Sequence, residues 1–325
     1  MDQDKVINKP KVSVIIPVYN TEAYAEEAIR SIMCQTLSDI EIIIINDGST
    51  DNSQLIIEKL TKEDQRISFY QQENKGQSEA RNYGIIKAIG EYLYFMDSDD
   101  LLDEKTLELC YEKCETGKLD FVFFDAAIFY TEYSKQLPFD YQKTELLKNG
   151  IYSGLELLER MIDKKVYSAS VCLNLIGHNY IKNNKLKFYP GIIHEDELFS
   201  YQLYKSAQRV SFINQKFYKR RVRENSTMTQ VFSLKNITGY FTVLDYLQSN
   251  CNGSSSIVIT TQKLIEYIIN PVIYNASVLS AKHRWKLFFT CIRKKYIPYI
   301  RIKNLCVLLF PWLIQIKALV KRKDV

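Results

Sequence analysis

The sequence of 325 residues is poor in the residues that build zinc sites and disulfide frameworks. It has three histidines, and its seven cysteines include no pair separated by two residues. A structural zinc site needs four such ligands and a disulfide framework needs paired cysteines, so the sequence argues against both. We interpret the cysteines as reduced thiols of a reducing compartment.

Glycine-rich phosphate loops are also missing. No G-x-G-x-x-G follows the first apolar run, which argues against a dinucleotide site, and no G-x-x-x-x-G-K-[ST] is present, which argues against a phosphate loop. The first residues have no apolar core behind a basic end, so no signal peptide is expected. A hydrophobic content of 46% with 25% charged residues is typical of a globular protein.

Charge is distributed unevenly along the chain. The net charge is +5, yet residues 281–325 contain 12 Lys and Arg and one acid, Asp324, a balance of +11. The remaining residues hold 31 bases and 37 acids, a balance of −6. A basic segment after a slightly acidic body indicates a polyanionic partner for that segment.

Apolar runs of strand length alternate with segments of helical spacing over residues 12–95. This alternation predicts an α/β fold with a mostly parallel sheet and helical crossovers. Polar clusters that include Tyr19, Asp47 and Asp97 each follow one of the runs, so we expect them at the edge of the sheet where such folds bind ligands. Pro17 is expected to end the pairing of the first strand.

The fourth apolar run ends in three acids within four positions, Asp97, Asp99 and Asp100. Side chains two apart on extended backbone point the same way, so Asp97 and Asp99 can converge on one cation. Carboxylates suit Mg²⁺ or Mn²⁺, hard ions that also bind phosphate oxygens. The alternative is a strand followed by an Asx turn and the acidic start of a helix.

Four segments resemble the family 2 glycosyltransferases in order and spacing. They are VIIPVYN at 14–20, NDGSTD at 46–51, GQSEARN at 76–82 and DSDD at 97–100, and together they cover about the first third of the chain. The resemblance implies the GT-A fold of nucleotide-diphospho-sugar transferases, with a central mostly parallel sheet. A C-terminal helical region would follow this domain.

The resemblance implies a role for each of several residues in these segments. Pro17 and Tyr19 would line the nucleotide base, with Tyr19 stacked on it, and Asp47 would accept a hydrogen bond from a uracil-type imide. Arg81 would lie near the base or the pyrophosphate. Asp97 would face the ribose or the sugar, and Asp99 would bind the Mn²⁺ or Mg²⁺ ion that bridges the pyrophosphate. Alternatively, Asp47 caps a turn and Arg81 is a solvated helix residue.

A second titratable cluster, residues 194–197, follows a Pro-Gly pair. An inverting sugar transfer needs one carboxylate to take the proton of the acceptor hydroxyl, and neighbouring acids raise one another's pKa. The family carries a Glu-Asp pair here, which implies Asp196 as the base with Glu195 in reserve. His194 could orient the acceptor or approach the metal. The alternative is an acidic helix N-terminus.

The basic stretch at 218–228 is similar to one that follows the Glu-Asp pair in many bacterial members of the family. Arg221 and Arg223 fit it best, and their guanidinium groups would close over the pyrophosphate. The alternative is a solvated strand edge. The Q-x-x-R-W signature of processive synthases is missing, because Ala281 stands where Gln is needed before Arg284 and Trp285. We therefore expect one sugar per encounter.

Residues 305–314 form an apolar run far below the roughly 20 residues that span a bilayer, and cations flank it. This pattern predicts a helix on an anionic membrane surface, with a docking helix for the body or a partner subunit as the alternative. The expected organisation is a tail at 1–10, a GT-A catalytic domain at 11–230 with nucleotide-binding (11–104) and acceptor (105–230) halves, and a helical region at 231–325.

The sequence and the resemblance together predict a transferase that moves a single sugar from a UDP-sugar to a hydroxyl of a glycan or lipid-linked acceptor. It would work at the cytoplasmic face of a bacterial membrane, in surface polysaccharide or lipopolysaccharide biosynthesis, and no nucleic acid partner is expected. Two alternatives remain open, a catalytically silent carbohydrate-binding or scaffold subunit and a sugar nucleotidyltransferase. The Gly-rich first loop of the latter is missing after Val18.

Overall fold

The computed structural model describes residues 9–129, 142–222 and 230–314. The chain divides into two compact units, one of residues 1–191 and 195–229, the other of residues 192–194 and 230–325. The predicted domain boundaries remain predictions. The C-terminal tail is described only as far as residue 314.

A single mixed sheet lies in the first unit. Its strands are β1 (Val12–Val18), β2 (Ile40–Asn46), β3 (Ile67–Gln71), β4 (Tyr92–Phe95), β5 (Leu101–Leu102), β6 (Phe121–Phe129), β7 (Asn174–Gly177) and β8 (Val210–Arg221). The order is β3-β2-β1-β4-β7-β6-β8-β5. β1 pairs in parallel with β2 and β4, β2 with β3, and β6 with β8, whereas β7 and β5 pair antiparallel with their neighbours. The predicted α/β fold is confirmed.

Helices connect the strands of this unit. They are α1 (Ala25–Met33), α2 (Ser53–Glu63), α3 (Gln77–Lys87), α4 (Thr106–Gly117), α5 (Gly154–Asp163), α6 (His178–Asn183) and α7 (Glu195–Ser206). α1 shows why they pack: Ala25, Ala28, Ile29 and Ile32 recur at helical spacing and are all buried. Such apolar faces cover the sheet and leave the strand ends to build a site.

The pairing of β1 does not end at Pro17, so that prediction was wrong. Pro17 stands opposite Ile45, and pairing with β2 continues to Val18, whereas pairing with β4 stops at Ile15. Successive residues of a central parallel strand form their hydrogen bonds with opposite neighbouring strands, so Ile15 and Pro17 face the same neighbour. The carbonyl of Ile15 bonds on the β4 side and that of Val18 on the β2 side. The nitrogen of Pro17 therefore faces the β4 side beyond the last pair, where its missing N–H costs no ladder bond.

Hydrogen bonds join the polar residues that follow β1, β2 and β4. The Asn20 amide donates to Ser49 Oγ at 3.1 Å, and the Thr50 amide donates to Asn20 Oδ1 at 2.8 Å. The hydroxyls of Thr21 and Ser98 lie 3.0 Å apart. The polar clusters at the carboxyl ends of the three strands therefore lie together at one edge of the sheet, as predicted.

The second unit is helical. It contains α8 (Leu234–Ser249), α9 (Ser255–Asn275), α10 (Ala281–Arg293) and α11 (Ile302–Leu309). α11 docks on α9, since Asn304 Nδ2 donates to Asn270 Oδ1 at 2.8 Å and Leu308 is fully buried. Across the described ranges, no helix is both long and apolar enough to cross a bilayer.

Gly84 of α3 provides a test of how closely this helix packs on β1. A Cβ at this position would lie 2.3 Å from Ile15 Cγ2, and Ile15 is fully buried in the central strand. An exposed helical glycine gains about 1 kcal/mol when replaced by alanine. We expect the opposite here, with Gly84→Ala lowering the free energy of unfolding by about 1–3 kcal/mol in urea denaturation.

The control is Ile86→Ala on the same helix, where the native side chain is 77% exposed. Its effect should stay within about 0.5 kcal/mol. An increase in stability for Gly84→Ala would contradict the close approach of α3 to β1.

Candidate active site

One guanidinium joins three carboxylates from distant parts of the chain. Arg81 lies on α3, Asp97 follows β4, and Glu195 and Asp196 begin α7. Arg81 Nη2 donates to Asp97 Oδ1 at 2.8 Å, and its Nη1 donates to Asp196 Oδ1 at 2.9 Å and Glu195 Oε1 at 3.1 Å. The structure therefore brings four of the predicted site residues together. We refer to them as the Arg81 cluster.

Two neighbours of Arg81 on α3 fix the backbone that leads towards α7. Ser78 Oγ donates to the Tyr189 carbonyl at 2.9 Å, and the Asn82 side chain exchanges two hydrogen bonds with the backbone of Phe188, at 2.8 and 2.9 Å. The sequence analysis missed both residues. The available signal was the position of Ser78, three residues before Arg81 and four before Asn82, because residues at these spacings are neighbours on a helix surface.

Asp47 fixes the start of α3. Its Oδ1 accepts from Gln72 Nε2 at 2.7 Å and from the Lys75 amide at 2.9 Å, and its Oδ2 accepts from the Gly76 amide at 2.8 Å. Gly76 has φ of 88°, in the region that disfavours other residues. The turn-capping alternative for Asp47 is thus realised. Its predicted contact with a uracil imide remains a prediction, since a carboxylate has further lone pairs.

The Arg81 cluster combines burial with an excess of negative charge. The Arg81 side chain is 2% exposed, its guanidinium lies 5.0 Å from the centre of the Phe188 ring, and its Nε has no partner in the described part of the chain. Burial opposes ionisation of Arg81, but the carboxylates of Asp196, Asp97 and Glu195 hold its pKa above the ordinary value. The cation thus stays charged, and three acids share it.

Glu195 and Asp196 differ in their surroundings. Burial, reinforced by the carboxylate of Asp196, raises the pKa of Glu195 to about 7. Asp196 is the more open of the pair, with its side chain 26% exposed against 12% for Glu195. Both lie in the first turn of α7, where the helix dipole favours negative charge, so the helix-N-terminus alternative is realised alongside the cluster.

The pairing of β5 with β8 brings Arg221 to the turn that follows Asp97. Leu101 stands opposite Lys219 in this antiparallel pair, which sets Asp99 level with Arg221. Arg221 Nε donates to the Asp99 carbonyl at 2.9 Å, and the Arg221 amide donates to Asp100 Oδ1 at 2.6 Å. Arg221 is therefore held beside the acidic turn.

Asp100 serves the turn itself. Its Oδ2 accepts from the hydroxyl of Tyr218 at 2.8 Å, and its side chain is buried. Burial, with the nearby carboxylates of Asp99 and Asp97, raises the pKa of Asp100 to about 7. We therefore assign Asp100 to the packing of β8 against the turn.

The acidic turn can provide part of a metal site. Within residues 9–129, 142–222 and 230–314, no three His, Cys, Asp or Glu side chains gather closely enough to hold an ion alone. Mg²⁺ is typically held by one or two carboxylates together with substrate phosphates, so Asp97 and Asp99 fit an ion whose shell a diphosphate completes. Arg81 and Gln77 both donate hydrogen bonds to Oδ1 of Asp97. The side chain of Asp97 is 21% exposed.

The remaining predicted site residues are placed as follows. Pro17 lies in β1, and Tyr19 follows it with 47% exposure, open enough for a base to stack on it. Arg223 lies outside the described residues. His194 belongs to the second unit, where its ring stacks on Tyr240 at 3.9 Å. Burial lowers the pKa of His194 to about 4, so its imidazole is neutral at physiological pH. Its role with acceptor or metal remains a prediction.

Comparisons with known proteins agree with this fold. A family model, glycosyl transferase family 2, matches residues 13–164. Glycosyltransferase GlyG of Streptococcus pneumoniae serotype 4 is 33% identical over 234 residues, 69% of this chain and 74% of that protein. Glycosyltransferase GlyA of the same organism is 30% identical over 218 residues, 66% of this chain but only 31% of GlyA. The chain belongs to glycosyltransferase family 2, as its motifs predict.

A solved structure supports the fold assignment. S. aureus TarS, residues 1–349, in complex with UDP-GlcNAc, aligns with a TM-score of 0.66 at 23% identity. The alignment covers 79% of this chain and 71% of that chain. The predicted GT-A fold is therefore confirmed.

The Arg81 cluster predicts a pH-dependent loss of stability when its cation is removed. Arg81→Met leaves three carboxylates without their shared partner, so we expect the free energy of unfolding to fall by about 3–5 kcal/mol at about pH 7.5. In the variant, the folded carboxylates have pKa values above those of the unfolded chain. The folded variant therefore binds protons as the pH falls, and the loss should shrink towards about pH 4.5.

Urea denaturation at both pH values measures this difference. The control is Arg160→Met, which removes an exposed ion pair with Glu156 in the same unit. We expect the control to cost at most about 1 kcal/mol at either pH. A loss for Arg81→Met that matches the control, or that does not change with pH, would contradict the assigned electrostatics.

Proposed function

We propose that the protein is a metal-dependent inverting glycosyltransferase that moves one sugar from a UDP-sugar to a hydroxyl of a glycan or lipid-linked acceptor. The observation that carries this proposal is the Arg81 cluster. It sets the donor-side acid Asp97 and the Glu195–Asp196 pair on one guanidinium, within 3.1 Å of its nitrogens. Direct sugar transfer requires an acid that would hold the metal to lie close to an acid that would act as the base.

Asp196 takes the role of base. As the acceptor oxygen attacks the anomeric carbon, the Asp196 carboxylate accepts the hydroxyl proton, and the bond from that carbon to the diphosphate breaks on the opposite face. Arg81 keeps Asp196 oriented through the 2.9 Å contact. Glu195 is the weaker candidate because its side chain is 12% exposed against 26% for Asp196, so an acceptor hydroxyl reaches Asp196 more readily.

The donor diphosphate would meet the acidic turn. Asp97 and Asp99 would hold a Mn²⁺ or Mg²⁺ ion, which offsets the charge that gathers on the leaving diphosphate. Arg221, held beside this turn by its bond to the Asp99 carbonyl and paired with Glu27, would turn its guanidinium towards the diphosphate. We include Arg223 in the same role on the basis of the resemblance.

The proposed nucleotide is uridine diphosphate. Tyr19 is exposed at the end of β1, and Asp47 lies at the neighbouring strand end, where an imide N–H could meet its remaining lone pairs. TarS, which shares the fold, was solved with UDP-GlcNAc, and this supports a uridine donor. The acceptor would belong to bacterial surface polysaccharide or lipopolysaccharide assembly at the inner face of the membrane, a proposal based on the resemblance and the cationic C-terminal segment.

Replacement of the base should separate binding from transfer. We expect Asp196→Asn to keep affinity for UDP-sugar in calorimetry and to lower kcat by about 10²–10⁴-fold. The matched control, Glu195→Gln, keeps the hydrogen bond to Arg81 and should keep kcat within about tenfold. A larger loss of kcat in Glu195→Gln than in Asp196→Asn would assign the base to Glu195. Near-normal turnover of both variants would exclude both residues from the mechanism.

Replacement of the proposed metal ligand should affect donor binding itself. We expect Asp99→Ala to abolish the part of UDP affinity that depends on Mn²⁺, because a carboxylate that would hold the ion is lost. Equal Mn²⁺-dependent affinity in Asp99→Ala and the wild type would contradict this assignment. Slow UDP release with Mn²⁺ also separates a transferase from a nucleotidyltransferase, which releases pyrophosphate, and from a silent scaffold, which releases neither.

A further inference from the structure

The helix α10 has an apolar face that the described residues of the second unit leave exposed. Trp285, Phe289 and Ile292 are 45%, 60% and 49% exposed, and their spacing places them on one stripe of the helix. The rings of Trp285, Phe288 and Phe289 lie 5.7–6.1 Å apart and contact one another. We refer to Trp285, Phe288, Phe289 and Ile292 as the aromatic face.

The orientation of α10 is fixed by its opposite side. Leu287 is 5% exposed and Cys291 is fully buried, so the core of the second unit takes up that side. Lys294, directly after the helix, is paired with Asp245 of α8. The aromatic face is therefore exposed, because the opposite side of α10 packs on the core of the second unit. An exposed group of this size marks an interaction site more often than chance.

The charged residues of α10 and of the described segment after it are all cations. No Asp or Glu occurs between residues 267 and 323. Six cations of the described part of this segment are exposed: Lys282, Lys286, Arg293, Lys295, Arg301 and Lys303. An aromatic and aliphatic stripe flanked by Lys and Arg is the pattern of helices that lie in the interface of an anionic bilayer. The occupant must therefore carry negative charge and accept aromatic side chains.

We propose that the aromatic face of α10 inserts into the headgroup region of an anionic lipid bilayer, with the surrounding cations on the phosphates. A second copy of the chain fits less well, because a twofold interface would set two basic surfaces against each other. A protein partner also fits less well, because interface cores are depleted in Lys. This inference rests on the proposed location at a membrane.

The proposal adds α10 to the membrane contact that the sequence predicts from residue 305 onward. In the structure, Leu308 is buried and Asn304 is bonded to Asn270 of α9, so one side of α11 is engaged within the unit. Phe310 and Trp312, which follow α11, are 48% and 54% exposed, and α10 presents Trp285 and Phe289 at 45% and 60% exposure.

Vesicle flotation of the full chain tests the proposal. Vesicles of phosphatidylcholine, with and without phosphatidylglycerol, are mixed with the wild type and with the double variant Trp285→Ala/Phe289→Ala. We expect the wild type to float only with the anionic vesicles, and the variant to bind them at least about tenfold more weakly. The matched control, Ile259→Ala/Tyr274→Ala, removes two apolar side chains of α9 that are 49% and 43% exposed and should change binding by less than about twofold.

Two further variants separate the contributions of charge and tail. Lys282→Glu/Lys286→Glu should weaken binding to anionic vesicles about tenfold, and added salt should weaken the wild type in the same direction. A chain that ends at residue 314 should keep most of its binding. If this truncation abolished binding while the aromatic variant kept it, the membrane contact would belong to the tail and the proposal would be overturned.

The remaining outcomes are also decisive. Equal flotation of the wild type and the aromatic variant, no flotation of the wild type, or equal binding to neutral and anionic vesicles would each overturn the proposal. A self-association in sedimentation velocity that the aromatic variant abolishes would assign the face to a second copy. Release of UDP from UDP-sugar in solution should be unchanged in all variants, so failure of the membrane contact is distinguishable from failure of the transferase function.

Discussion

The site depends on one buried cation shared by three acids. Arg81 is 2% exposed, and removing its guanidinium would leave three carboxylates without their shared cation. The start and the middle of α3, which carries Arg81, are both held by hydrogen bonds. Asp47 binds its first turn, and Ser78 and Asn82 bind the backbone at residues 188 and 189. The charge cluster and the polypeptide geometry around it support each other.

Strand order brings the remaining parts together. Parallel pairing of β1 with β2 and β4 sets their carboxyl ends at one edge, and antiparallel pairing of β5 with β8 returns Arg221 to the acidic turn. The side chain of Arg221 thus meets the backbone carbonyl of Asp99 because of strand register, with no local sequence signal between the two positions. Tyr19, Asp47 and Asp97 follow strands of this sheet, whereas Asp196 approaches them from α7.

The first half of the fold could be read from sequence because its rules are local. Continuous apolar runs predict buried strands, and parallel strands must end at the same edge, so Tyr19, Asp47 and Asp97 could be grouped in advance. The partners of Arg81 could not, because Glu195 lies 114 positions away and its approach depends on tertiary packing. Pro17 was misjudged for a related reason. Which neighbour a strand nitrogen faces is known only once the order of the strands is known.

The far border of the sheet has a consequence for the behaviour of the chain at high local concentration. β5 contains two residues, and β8 beside it carries the exposed polar residues Asn214, Gln215 and Lys216. A long apolar border would recruit the same border of another molecule and begin aggregation, whereas a short strand and a lysine discourage this. Chains at high local concentration would therefore resist pairing along this border of the sheet.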